Sequence, residues 1–185
     1  TTLYSIIDFL NKPEINVTTI EDPVEIRIPG LNQIEIDAKT SFSDSLRTVL
    51  RQDPDIILVG EIRDRETMDA AIETAEAGHL VIGTLHTKSC AETIDRMINF
   101  YDISDQQSIK YMIASLLKLV TSQRLIRGKD GKLVLVPEVM VVDNIISGII
   151  RKEKLSVSEI EDAIQSNSAN GSIGLINSIA ELFVD

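Results

Sequence analysis

Three stretches of this 185-residue chain end an apolar run in residues able to do phosphate chemistry. INVTTIEDPVE leads into Glu21, Asp22 and Glu25. DIILVGEIRD leads into Glu61, Arg63 and Asp64. GHLVIGTLHT opens with His79 and closes on His86 and Thr87, and the chain holds 2 histidines in all. In an open parallel sheet, ligands collect beyond the carboxyl ends of the strands. Phosphoryl transfer asks for such a set: an acid for a Mg²⁺–water shell, an acid to orient the attacking water, and a polar group sensing the terminal phosphate.

Each residue also has a plainer reading. Glu21 and Asp22 can cap a turn at Pro23, and Glu61 can be a helix-start acid favoured by the helix dipole. His79 can be a hydrogen-bonded core residue. Arg47 and Arg51, four apart, can form a solvated helix face, or they can reach a phosphate on a neighbouring subunit. What favours chemistry is the conjunction of three strand ends in order.

The elements that must carry these residues follow from periodicity. Leu3, Ile6, Ile7 and Leu10 form one helical stripe in TTLYSIIDFLN. INVTTIE reads as a strand ended by Asp22-Pro23. VEIRI and QIEI alternate around Pro29-Gly30, predicting a hairpin-like insertion. Phe42, Leu46, Val49 and Leu50 form a helical stripe that Asp53-Pro54 ends. Ile56 to Val59 is a continuous apolar strand, of the kind buried on both faces. RETMDAAIETAEAG is a helix with Asp64 as N-cap and Gly78 as stop. HLVIGTLHT is predicted to be a second buried strand, and AETIDRMINF another helix. Ser104 and Gln107 suggest a capping box before IKYMIASLLKLV. QRLIRGKDGKLVLVPEVMVV predicts a hairpin turning at residues 128–131. Three short helices follow Val142, the second with a Ser156–Glu159 capping box. The alternation before Val142 predicts an α/β fold, a parallel sheet with helices on both faces, over residues 1–142. Residues 143–185 are predicted to form a small C-terminal helical domain.

The hydrophobic share of 43% is enough for a core. The net charge of −11 disfavours a nucleic-acid binder and adsorption to anionic lipid. A single cysteine, Cys90, excludes an internal disulfide and a four-cysteine zinc site. No apolar run approaches the ~18 residues of a membrane span.

The order of these stretches resembles the secretion ATPases of type II secretion and type IV pili. TIEDPVE resembles the family's Asp box. LRTVLRQDPDIILVGEIRD resembles the stretch into its Walker B motif, with Gly60-Glu61 in place of the more usual Asp-Glu pair, and AGHLVIGTLHT resembles its His box. The resemblance implies a RecA-like P-loop NTPase core using ATP and Mg²⁺. Glu61 would be the catalytic Walker B glutamate and Glu21 the Asp-box acid, both meeting Mg²⁺ through water. Asp22, Glu25, His79, His86, Thr87, Arg47 and Arg51 would contact the nucleotide or a neighbouring subunit.

The resemblance further implies a homo-oligomer, expected as a hexamer. It would act at the cytoplasmic face of the inner membrane with a pilus platform protein, without zinc, nucleic acid or membrane insertion. DNIISGIIRKEK resembles the helix carrying the retraction signature, although Ser147 and Gly148 stand where that signature has Arg and Asn. This favours a retraction motor over a pilus-assembly or type II secretion ATPase.

The chain contains no G-x-x-x-x-G-K-[ST]. Gly128-Lys129 is followed by Asp130 and Gly131-Lys132 by Leu133, both in the predicted turn. The resemblance places the phosphate loop just before Thr1. The chain is therefore expected to be a fragment, a product of a cut or interrupted gene, or a sequence given without its leading residues. Its far end is expected to be short as well. The missing strand is expected beside Ile56–Val59, and the isolated chain to bind ATP poorly. A reading of another class is a non-catalytic interaction module that packs against intact subunits.

Overall fold

The computed structural model describes residues 2–37, 40–129 and 131–184, without the side chains of Phe183 and Val184. Thr1, Asp185 and the Asp130 position of the expected turn lie outside the described residues. The chain divides into two compact units, Thr1–Leu85 and His86–Asp185.

The first unit is a four-stranded parallel sheet flanked by helices. Helix α1 (Thr2–Leu10) leads to β1 (Val17–Glu21), β2 (Asn32–Glu35), α2 (Phe42–Val49), β3 (Ile56–Val59), α3 (Arg65–Glu76) and β4 (Leu80–Gly83). The strand order is β2-β1-β3-β4. Helix α1 buries Ile7 against Val17, Ile56 and Leu58. Strand alternation turns Ile57 and Val59 to the opposite face, and α2 and α3 pack along β1 and β4. All four residues of β3 are buried, as its apolar run predicts.

Local chemistry sets the element ends. The Asp64 side chain accepts the Thr67 amide at 2.8 Å, capping α3. Gly78, at φ 102, ends it. Asp53, at φ 51, turns the chain out of the 3-10 turn that follows α2.

Three expectations for this unit are overturned. No hairpin forms around Pro29-Gly30. Residues Asn32–Glu35 instead lie parallel to β1, with Thr18 opposite Asn32 and Glu21 opposite Glu35. The segment before them is held by side chains rather than a strand ladder. Val24 donates its amide to Glu35 Oε2 at 3.1 Å, and Ile28 donates to Gln33 Oε1 at 2.8 Å.

Strand β4 is not buried like β3: it is an edge, with Leu80 46% exposed. And β3 is hydrogen-bonded to β1 on one side and β4 on the other. A further strand has no place beside it; the open edges of this sheet are β2 and β4.

The second unit contains α4 (Cys90–Ile98), α5 (Ile103–Leu116), the antiparallel pair β5 (Leu119–Arg127) and β6 (Leu133–Val141), then α6 (Asn144–Ile150), α7 (Val157–Ser166) and α8 (Leu175–Val184). The change of character at Val142 falls inside this unit, because α7 and α8 pack on β6 and α6 packs on α5. Ile94, Ile113, Val136, Met140, Ile146, Ile150 and Ile160 are its buried centre.

Ser104 does not cap α5. The helix begins two residues earlier than that cap implies, at Ile103 behind Asp102, and Ser104 lies within its first turn. The LKLV end of that expected helix splits, since Leu119 opens β5. Ser156 does cap α7, accepting the Glu159 amide at 3.4 Å, but the Glu159 carboxylate goes to Lys152 at 2.6 Å.

Candidate active site

The carboxyl ends of β1 and β3 bring four of the expected residues together. Glu21, Asp22, Glu25 and Glu61 line one cavity of about 190 Å³, with Tyr4, Phe42, Gly60 and Arg63. The register explains the pairing. Ile20 stands opposite Val59, so the residues that follow each strand emerge side by side.

Glu21 is the most enclosed of these acids, 6% exposed. Its Oε1 accepts from Thr19 Oγ1 at 2.6 Å and from Gln33 Nε2 at 3.1 Å. Its Oε2 accepts from the Tyr4 hydroxyl. Burial and this bond to Glu21 raise the Tyr4 phenol above its ordinary range, partly offset by the backbone amides of Ile26 and Glu25. Asp22 and Glu25 are exposed at the rim.

Glu61 is half-buried and paired with Arg63, Nη2 to Oε2, at 2.5 Å. That hydrogen bond and the Glu61 charge push the Arg63 guanidinium still higher. Gly60 makes the close strand approach possible. A Cβ there would lie 3.0 Å from the Ile20 carbonyl oxygen and 3.3 Å from Glu21 Cα.

The other expected residues lie elsewhere. His79 precedes β4 at its amino end, a strand length of about 13 Å from the carboxyl edge, with Nδ1 2.7 Å from the Pro54 carbonyl oxygen. Arg47 is exposed and pairs with Glu66 at 3.8 Å and Asp44 at 3.9 Å. Arg51 is exposed in the 3-10 turn that feeds the amino end of β3. His86 and Thr87 belong to the second unit. There they line an open depression of about 600 Å³ with Lys88, Glu92, Asp95, Arg96 and Asn99.

The loop leading into α4 is fixed by Ser89, which accepts the Glu92 amide at 3.2 Å, and by the Glu92 carboxylate, which accepts the Lys88 amide at 3.0 Å. This resembles a capping box, except that Glu92 reaches back to the amide of Lys88 rather than to that of the N-cap Ser89. The sequence shows it as Ser89-x-x-Glu92, a signal the periodicity reading passes over. Tyr4 is also missed, since it flanks the apolar stripe of α1. The clue was Thr19 and Glu21, two apart and so on one face of β1.

The cavity's donor set is carboxylate oxygen, which suits a hard divalent cation. Among the described residues, no three His, Cys, Asp or Glu side chains gather into a protein-only metal cage. Mg²⁺ does not need one, because it is usually held by one or two carboxylates with water and phosphate oxygens.

Comparison with known proteins gives the family and the fold. The family described as "Type II/IV secretion system protein" matches residues 1–135. The type IV pilus retraction ATPase PilT of Pseudomonas aeruginosa is 41% identical over 181 residues, 95% of this chain and 51% of that protein. The type IV pilus assembly ATPase PilB of the same organism is 45% identical over 127 residues, 68% of this chain and 21% of its own length. A crystal structure of the pilus retraction motor PilT with bound ADP superposes with a TM-score of 0.76 at 33% identity, covering 97% of this chain and 56% of that one. Residues 1–185 thus span about half the length of the PilT relative.

Proposed function

The chain belongs to the type II/IV secretion system protein family, and from that membership we propose that it is the catalytic segment of an ATP-hydrolysing motor subunit that drives type IV pilus retraction. The observation that carries the reading is the cavity beyond β1 and β3, where Glu61 and Glu21 converge. In the proposed reaction Glu61 accepts the proton of the attacking water. Glu21 and Glu61 would hold Mg²⁺ through water, and the ion would supply charge neutralisation at the phosphates.

Retraction is favoured over assembly by the extent of the match. The PilT relative aligns over 95% of the chain, while the PilB relative aligns over 68%. The motor is proposed to be a ring, expected with six copies. It would work at the cytoplasmic face of the inner membrane against a pilus platform protein. No helix among the described residues is long and apolar enough to cross a membrane.

The test is steady-state ATPase activity of the full-length gene product. Glu61→Gln is expected to retain nucleotide binding and lose hydrolysis; wild-type turnover in that variant removes the assignment of Glu61. Deleting the gene separates the two motors. Loss of a retraction motor leaves cells with extended pili that do not twitch, whereas loss of an assembly motor leaves cells without pili.

A further inference from the structure

We infer that Tyr4 is the positioning residue of the acid cluster, its single phenol oxygen fixing the Glu21 carboxylate and the loop that presents Asp22 and Glu25. This rests on the reading of Glu21 as an acid of the ATP site.

Three bonds meet at the Tyr4 hydroxyl. It donates to Glu21 Oε2. It accepts the amide of Glu25 at 3.0 Å and that of Ile26 at 3.2 Å. The direction of each is forced. A backbone N–H can only donate, so both amides use the phenol lone pairs. The one phenol hydrogen is then spent on Glu21, and the oxygen is saturated.

Glu21 depends on that donor. Its other oxygen already serves Thr19 and Gln33, and its side chain lies on the sheet face that α1 covers. The loop depends on Tyr4 as well. Residues 24–28 have no strand ladder, so their amides are held by side chains: Glu35 for Val24, Tyr4 for Glu25 and Ile26, Gln33 for Ile28. Gln33 also reaches Glu21, through its side-chain nitrogen, but Tyr4 meets both Glu21 and two loop amides with a single atom. One oxygen therefore ties helix α1, the end of β1 and the rim of the cavity to a common geometry. Removing that oxygen leaves one carboxylate oxygen without its donor and two amides without their acceptor, and each such loss has a cost.

Tyr4→Phe keeps the ring and removes only the oxygen. In the full-length gene product it is expected to lower kcat about tenfold or more, with KM for Mg-ATP within about threefold, because it disturbs aim rather than ground-state binding. Hydrogen exchange at the Glu25 and Ile26 amides is expected to accelerate in the same variant. A purely structural role for Tyr4 would lower the melting temperature without this split between kcat and KM. Glu21→Gln is assayed alongside. If Glu21→Gln stops turnover while Tyr4→Phe keeps wild-type kcat, the inference about Tyr4 is overturned alone. If Glu21→Gln turns over normally, the reading of Glu21 falls and this inference falls with it.

Discussion

Arg63 and Glu61 face each other two residues apart in the turn after β3, with the guanidinium Nη2 2.5 Å from Glu61 Oε2. The Glu61 side chain is 19% exposed and that of Arg63 58%, so the pair sits at the mouth of the cavity rather than in the core. A pair this open contributes little to stability; its effect is on the direction in which the carboxylate points. Arg63→Gln is therefore expected to lower ATPase kcat about tenfold while leaving stability nearly unchanged. Arg63→Lys is expected to fall between, since lysine keeps the charge but not the planar fork. Wild-type kcat in Arg63→Gln would show that Glu61 is aimed by something else.

Gly60 sets the spacing between the two acid-bearing strand ends. The atoms a Cβ would meet, the Ile20 carbonyl oxygen and Glu21 Cα, are both backbone and cannot rotate away. In Gly60→Ala, β1 and the turn must separate by a few tenths of an ångström. The expected cost is about 1–3 kcal/mol of stability, read by denaturant melts. An ATPase loss of up to about 100-fold is expected with it, since small displacements of reacting groups are that expensive. A variant as stable and as active as the wild type would mean that the strand ends tolerate the wider spacing.

What the sequence made legible, and what it did not, divides by range. Ile56–Val59 is readable because a strand buried on both faces needs only apolar residues in a row. Asp64, Gly78 and Ser156 are readable because caps and left-handed stops act within a turn of chain. Val24–Ile28 misleads. Its alternation suits a strand, but Tyr4 and Glu35, 21 and 11 residues away, take its amides. Leu80 looks as buried as Ile56, and only the strand order reveals that β4 is an edge. The acids at the site were visible from their strand ends. The groups that aim them were not: Tyr4 meets Glu21 across 17 residues, and the need for Gly60 appears only once β1 lies beside β3.

Cys90 reports on the integrity of the second unit. It is fully buried, with Sγ 3.3 Å from the Val120 carbonyl oxygen, and the Glu138 carboxylate accepts its amide at 2.6 Å. Burial first, and then the Glu138 charge, push the thiol far above its ordinary range. The thiolate is the reactive form, so a thiol reagent at pH 8 is expected to leave Cys90 unmodified in the folded protein. Modification should appear with urea, in step with unfolding of the His86–Asp185 unit. Rapid labelling of Cys90 without urea, while that unit's amides stay protected from exchange, would contradict this.

Asp143 ties the start of α6 to the segment after α7 and gives that corner a pH dependence. Its Oδ1 accepts the amides of Ile145 at 2.9 Å and Ile146 at 3.0 Å, and its Oδ2 accepts from the side chains of Asn170, at 3.0 Å, and Asn167. The Ile146 amide is the largest influence lowering the carboxyl below its ordinary value, opposed by burial and assisted by Asn167, Asn170 and the Ile145 amide. A carboxyl lowered by folding stabilises the native state above its unfolded pKa of about 3.9. That contribution declines as pH falls below this value and is lost once pH passes below the folded one. Asp143→Ala should therefore cost about 1 kcal/mol near neutral pH, the usual worth of an N-cap. The gap between wild type and variant should narrow progressively below pH of about 4, because protons bind the unfolded carboxyl first. Urea melts of the two proteins at pH 7 and at pH 3 measure it. A gap as large at pH 3 as at pH 7 would show that packing around residue 143, and not its charge, holds the corner together.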